Sequence, residues 1–211
     1  MKNTKEKVSY CIGFEMGKNL KTQFSDIDMD LLLGGFQDGI QDVESRIPEQ
    51  EMMSILATLR QQIEMQQKQY VAQLAEKNKK DGEDFLQANK SKAGVVTLPS
   101  GLQYKVLKSG TGTTKPTLFD TVSIHYKGQF IEGQVFDSSY ERKQPQVLPV
   151  NRVIPGWSEA LQLMKTGDRW ELVIPAYLAY GEQGFGQFIG PNTTLVFEIE
   201  LLSINPQPAV Q

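Results

Sequence analysis

The chain has one cysteine and one histidine in 211 residues. One cysteine cannot close an internal disulfide, so no disulfide framework is available. One histidine beside one cysteine also excludes a Cys/His zinc cluster. No stretch approaches the roughly 18 consecutive apolar residues of a membrane-crossing helix, so no transmembrane segment is expected. The opening Met1-Lys2-Asn3-Thr4-Lys5-Glu6-Lys7 is charged and no apolar core follows it, unlike a secretory signal. A cytoplasmic location is expected if Met1 is native, and the periplasm or outer-membrane surface if a signal peptide has been removed. An excess of positive charge is missing too. Lys and Arg number 22 against 25 Asp and Glu, a formal charge of −3. A nucleic-acid binder would show a basic face, so no nucleic-acid partner is expected.

Proline and tryptophan are scarce in one part only. Residues 1–98 hold Pro48 and no tryptophan, whereas residues 99–211 hold nine prolines and both tryptophans. The first part carries 28 of the 47 charged side chains and 6 of the 19 aromatics. Two regions under different rules therefore meet near Thr97-Leu98-Pro99-Ser100-Gly101.

The first region reads as helices. Val8, Ile12, Met16 and Leu20 recur four apart and make one face of a helix over residues 5–22, with Cys11 beside them as a small buried apolar residue. Gly13 and Gly17 have the spacing that lets a second helix approach closely. Met29, Leu32, Leu33, Phe36, Ile40 and Val43 make the stripe of a second helix over residues 28–45, capped by Asp26 or Asp28. Pro48 then opens a third, since proline is tolerated in a first turn. Residues 49–80 contain no glycine or proline, and the pattern extends to Asn89 with Gly82 as its one interruption. About 40 residues at 1.5 Å each span roughly 60 Å. Its first turns are apolar; after Leu74 the pattern is almost wholly polar, which predicts a solvated stalk. Two short helices and a stalk start enclose little core in one chain. Homodimerisation through residues 1–65 is the expected remedy. The expected division is a dimerisation domain at 1–48, a linker helix at 49–93 and a second domain at 94–211.

From Ser100 the period changes to two. Leu102-Gln103-Tyr104-Lys105-Val106-Leu107, residues 121–128, residues 169–174 and residues 194–202 alternate between turn residues and read as strands. Glu132-Gly133 is a hairpin turn, and residues 157–164 make a short helix entered through Pro155-Gly156. The fold class is α+β: an antiparallel sheet wrapped on one helix, preceded by an all-helical part. Catalytic signatures are lacking here as well, with no nucleophile elbow, phosphate loop or dinucleotide fingerprint. His125 reads as a structural strand residue. What recurs is aromatic side chains in loops and at strand ends.

Val135-Phe136-Asp137-Ser138-Ser139, Val153-Ile154-Pro155-Gly156-Trp157, Ala179-Tyr180-Gly181 and Leu195-Val196-Phe197-Glu198 occur in an order and spacing that resemble the FKBP-type peptidyl-prolyl isomerases. Ser9-Tyr10-Cys11-Ile12-Gly13 and Leu98-Pro99-Ser100-Gly101-Leu102 resemble that family's bacterial branch, the macrophage infectivity potentiators. The resemblance implies a site without metal or cofactor. Trp157 would floor a proline pocket, walled by Tyr126, Phe136, Val153, Ile154 and Phe197. The Tyr180 hydroxyl and the Ile154 backbone N–H would bond substrate carbonyls. Asp137 would lie at the rim with Arg142, and Phe185, Phe188 and Ile189 would form a flap. Gln146 and Leu148 stand where many members have aromatics, leaving the preference before proline open. Implied partners are proline-containing polypeptides, a second copy in a V-shaped homodimer that assists folding, and inhibitors of the tacrolimus and rapamycin type. The other reading is a proline-binding chaperone or adhesin without turnover.

Overall fold

The computed structural model describes residues 1, 3–24 and 26–206. The chain divides into two compact units, Met1–Ile63 and Glu64–Gln211.

In the first unit, helix α1 (Thr4–Gln23) is capped by Asn3, whose side chain accepts the Glu6 N–H at 2.9 Å. Helix α2 (Met29–Ile40) starts at Asp28, which accepts the N–H groups of Asp30 and Leu31 at 3.0 Å. It stops short of residue 45. Asp42 turns left-handed (φ 51°), and the Val43 N–H closes back on the Asp38 carbonyl at 3.0 Å. That closure satisfies a terminal carbonyl and ends the helix although the apolar spacing continues. The apolar faces are uncovered within the chain. Ile12 is 57% exposed and Phe36 50%, and no residue of α2 is buried. A Cβ on Gly13 or Gly17 would meet nothing within 4 Å, so among the described residues no helix packs closely there. Cys11 is exposed rather than buried for the same reason.

Helix α3 (Glu49–Asn89) runs 41 residues without a break at Gly82. Its polar end is not a solvated stalk. One face packs on the β-rich part through hydrogen bonds: Asn78 donates to the Pro191 carbonyl at 2.8 Å, and Gln103 donates to the Leu86 carbonyl at 2.9 Å. Asn89, 2% exposed, donates to the Gln103 side chain at 2.9 Å. Gly82 is buried because a Cβ there would lie 2.3 Å from Thr194 Oγ1. Polar partners satisfied inside the fold are invisible to a search for apolar periodicity.

Seven strands form one antiparallel sheet: β1 (Val95–Thr97), β2 (Gln103–Lys108), β3 (Thr121–Phe130), β4 (Val135–Ser138), β5 (Gln146–Pro149), β6 (Arg169–Ile174) and β7 (Leu195–Ile204). The order is β1-β2-β6-β7-β3-β4, and β5 pairs with the first half of β3 while β4 pairs with the second. The Glu132-Gly133 turn joins β3 to β4, with the Gly133 N–H on the Phe130 carbonyl at 2.9 Å. Helix α4 (Pro155–Leu163) packs Trp157, Ala160 and Leu161 onto Val122, Ile124, Leu172, Ile174, Ile199 and Leu201 of the sheet. The period-two alternation follows. Val122 and Ile124 are fully buried, whereas His125 and Lys127 reach the surface in part.

Candidate functional site

At one side of this core an open cavity of about 440 Å³ is lined by Tyr126, Phe136, Asp137, Gln146, Leu148, Arg152, Val153, Ile154, Trp157, Tyr180 and Phe197. Each element contributes for a local reason. The first turn of α4 places Trp157, 6% exposed, at the base. The Tyr126 and Phe197 rings meet its indole edge-on, each with centroids 5.0 Å away. Phe136 stands perpendicular to Phe197 at 5.7 Å. Aromatic rings favour such edge-to-face contacts.

Gly128 makes this wall possible. It sits on β3 opposite Phe197 of β7 and Asp137 of β4. A Cβ there would come within 2.7 Å of both the Phe136 and Phe197 rings. The missing side chain is the space the two rings occupy.

The polar edge is built around Asp137. The Tyr126 hydroxyl donates to one carboxylate oxygen at 2.5 Å, and Arg142 pairs with the other. Arg142 also donates to the Tyr126 hydroxyl at 2.9 Å, with its guanidinium 5.6 Å from the ring centre. Burial would raise the Asp137 carboxyl, but the Tyr126 and Arg142 hydrogen bonds and the guanidinium charge outweigh it and hold the group below the usual range. Burial, then the bond to Asp137, pushes the Tyr126 phenol up. Burial and the Asp137 charge do the same to Tyr180. Both phenols therefore keep their protons at neutral pH. Neither the Tyr180 hydroxyl nor the Ile154 N–H has a hydrogen-bond partner among the described residues.

Ser139 holds the arrangement from behind. It is fully buried, accepts the Tyr126 N–H at 2.8 Å and donates its own N–H to the Tyr126 carbonyl at 2.9 Å. His125 Nδ1 lies 2.9 Å from the same hydroxyl and its ring stacks on Tyr140 at 4.6 Å, a structural placement. Among the described residues no three His, Cys, Asp or Glu side chains gather closely enough to hold a metal ion.

The structure thus brings together nine of the twelve residues expected at the site, counting Arg142 through its contacts with Asp137 and Tyr126. The expected flap differs. Ile189 is buried in the hydrophobic core, and Phe188 lines a separate cavity instead. Phe185 does not line the site but stacks on Tyr180 at 4.9 Å. The Phe185–Ile189 backbone bridge turns the intervening loop back on itself. Arg152 was not foreseen as a lining residue; its one signal was adjacency to Val153-Ile154. Ser139 stood in a recognised motif, but its clasp on Tyr126 depends on a strand pairing that the motif does not reveal.

Comparison with known proteins agrees with the geometry. Residues 5–106 match the family model described as the domain amino terminal to FKBP-type peptidyl-prolyl isomerase, and residues 112–202 match that of FKBP-type peptidyl-prolyl cis-trans isomerase. The chain is 46% identical to the outer membrane protein MIP of Legionella longbeachae, over 95% of this chain and 85% of that protein. It is 42% identical to the peptidyl-prolyl cis-trans isomerase Mip of Coxiella burnetii, over 97% and 88%. Among solved structures it is similar to FkpA from Escherichia coli, with a TM-score of 0.76, 34% identity and coverage of 99% of this chain and 100% of that one. A helical N-terminal part, a sheet wrapped on one helix and relatives of nearly the same extent lead to one conclusion: the chain belongs to the FKBP-type peptidyl-prolyl cis–trans isomerases and is an enzyme of that activity.

Proposed function

We propose that the Trp157 cavity holds the proline ring while the preceding amide rotates, with the Tyr180 hydroxyl and the Ile154 N–H as its donors. The observation that carries this is two donors without partners among the described residues, on an aromatic cavity whose one carboxylate is already paired. Rotation about X–Pro is opposed by amide resonance, a barrier of roughly 18–20 kcal/mol. The planar amide is strongly polarised; the twisted one has lost resonance and much of that polarity. An apolar cavity therefore disfavours the ground state more than the twisted state, and only such differential binding accelerates a reaction. A thousandfold gain needs about 4 kcal/mol at 1.36 kcal/mol per decade. Shape fit and two hydrogen bonds are of that order. Asp137, paired with Tyr126 and Arg142, orients the rim.

The test is isomerisation of an X–Pro peptide. Trp157→Ala and Tyr180→Phe are each expected to lower kcat/KM about tenfold, the effect of removing one ring wall or one hydrogen bond to the substrate. Full activity in both variants would refute the assignment. Inhibitors of the rapamycin and tacrolimus type, which the family resemblance implies, are expected to compete with the peptide.

The uncovered apolar faces of α1 and α2 support a homodimer through residues 1–65. Proline-containing polypeptides undergoing folding are the proposed clients. No described helix is long and apolar enough to cross a membrane. The compartment follows from whether a leader precedes Met1: cytoplasmic without one, periplasm or outer-membrane surface with one. Fractionation of native cells reads this directly.

A further inference from the structure

A second cavity, of about 220 Å³, lies beyond the aromatic wall and plays no part in the proline site. Its sides come from Leu74 and Asp81 of α3, from Phe130, Ile131 and Glu132 at the β3–β4 turn, and from Phe188. It shares a wall with the proline cavity. Phe130 lines one, Phe136 lines the other, and their rings meet with centroids 5.0 Å apart. Phe188 stands 82% exposed at its edge.

The groove is held open by bonds that do not depend on a ligand. Asn78 donates to the Pro191 carbonyl at 2.8 Å and to Thr193 Oγ1 at 3.3 Å. Its charge is unbalanced. Lys77 pairs with Asp81 at 2.7 Å and its ammonium also feels the Glu132 charge, so one ammonium faces two carboxylates. Apolar walls beside a net negative charge from Asp81 and Glu132 complement an apolar side chain next to a lysine or arginine.

We propose that this groove is a second subsite for the polypeptide whose proline fills the Trp157 cavity, taking an apolar residue flanked by a basic one. The proposal rests on the proline-site reading. Contact distances of about 4 Å on either side of the shared wall put the two bound groups roughly 13 Å apart. An extended chain covers that in about four residues at ~3.3 Å each.

The test uses the full chain and three peptides with a central Ala-Pro. One is otherwise alanine, one carries Leu-Lys four residues from the proline on both sides, and one carries Leu-Glu there. The Leu-Lys peptide is expected to be isomerised about five- to tenfold more efficiently than the alanine peptide, the gain of partly burying one apolar side chain. Leu-Glu should gain less. Glu132→Lys should remove the Leu-Lys advantage and leave the alanine peptide unchanged. An absent advantage with the alanine peptide still turned over, or an advantage that survives Glu132→Lys, overturns the subsite. A proline-free Leu-Lys peptide separates this from failure of the proline site. It should shift the amide resonances of Leu74, Asp81 and Glu132 in the wild type and not in Glu132→Lys, even if no peptide is isomerised. No shift in the wild type overturns the groove.

Discussion

At the scale of single residues, the site depends on a side chain that is missing. Gly128→Ala would place a methyl group 2.7 Å from the Phe136 and Phe197 rings, so both must move. The expected cost is about 1–3 kcal/mol of stability, typical of overpacking, together with lower kcat/KM on a short X–Pro peptide. Thermal melting and the isomerase assay on one preparation check both. Asp137 sets the acid limit. Its folded value is depressed, so its contribution to stability is in place above its unfolded value of about 3.9 and is lost as pH falls through the lower folded value. Neutral pH should leave the rim unchanged, and its loss should begin only below about pH 4. Asp137→Asn should abolish that acid step in a pH series of melting temperatures. The residues with the strongest chemical identity were legible in the sequence: Trp157, Tyr180, Asp137 and Phe197 sit in motifs whose order is specific. Ser139 and Gly128 were not. Their roles exist only once β3, β4 and β7 are in register, which no local pattern encodes.

At the scale of elements, α3 shows what periodicity can and cannot reveal. Its length was legible because no glycine or proline interrupts residues 49–80. Its contacts were not, because Asn78, Gly82 and Asn89 bury themselves through polar bonds and close approach rather than through apolar surface. Asn89→Ala would strand the buried Gln103 oxygen and is expected to cost about 1–3 kcal/mol. Gly82→Val would drive a branched side chain into Thr194 and should cost at least as much. Denaturant unfolding monitored at Trp170 reads both. Short edge strands were the other gap. β5 is Gln-Val-Leu-Pro, too brief and too proline-bound to announce itself, and it was found only by its pairing with β3. The end of α2 was lost to a left-handed Asp42, a conformation asparagine and aspartate adopt without an apolar signal.

At the scale of the whole molecule, the proline asymmetry announced two regions with different rules. The compact division falls earlier than the composition shift, after Ile63, because the polar half of α3 is bonded to the sheet. The two units differ in how they are stabilised. Unit 64–211 encloses its own core, with Ile124, Leu172 and Ile199 fully buried. Unit 1–63 leaves Ile12 and Ile40 57% and 67% exposed. Ile12→Glu combined with Ile40→Glu is expected to yield a monomer by light scattering, with kcat/KM per chain on a short peptide unchanged. A wild-type monomer would refute self-association through this face. The exposed helices also carry a consequence for mass action. In the proposed homodimer the helical unit gains stability with the logarithm of the concentration of its second copy. Calorimetry should therefore resolve two transitions. The helical one should climb with protein concentration, and the isomerase one should stay where it is.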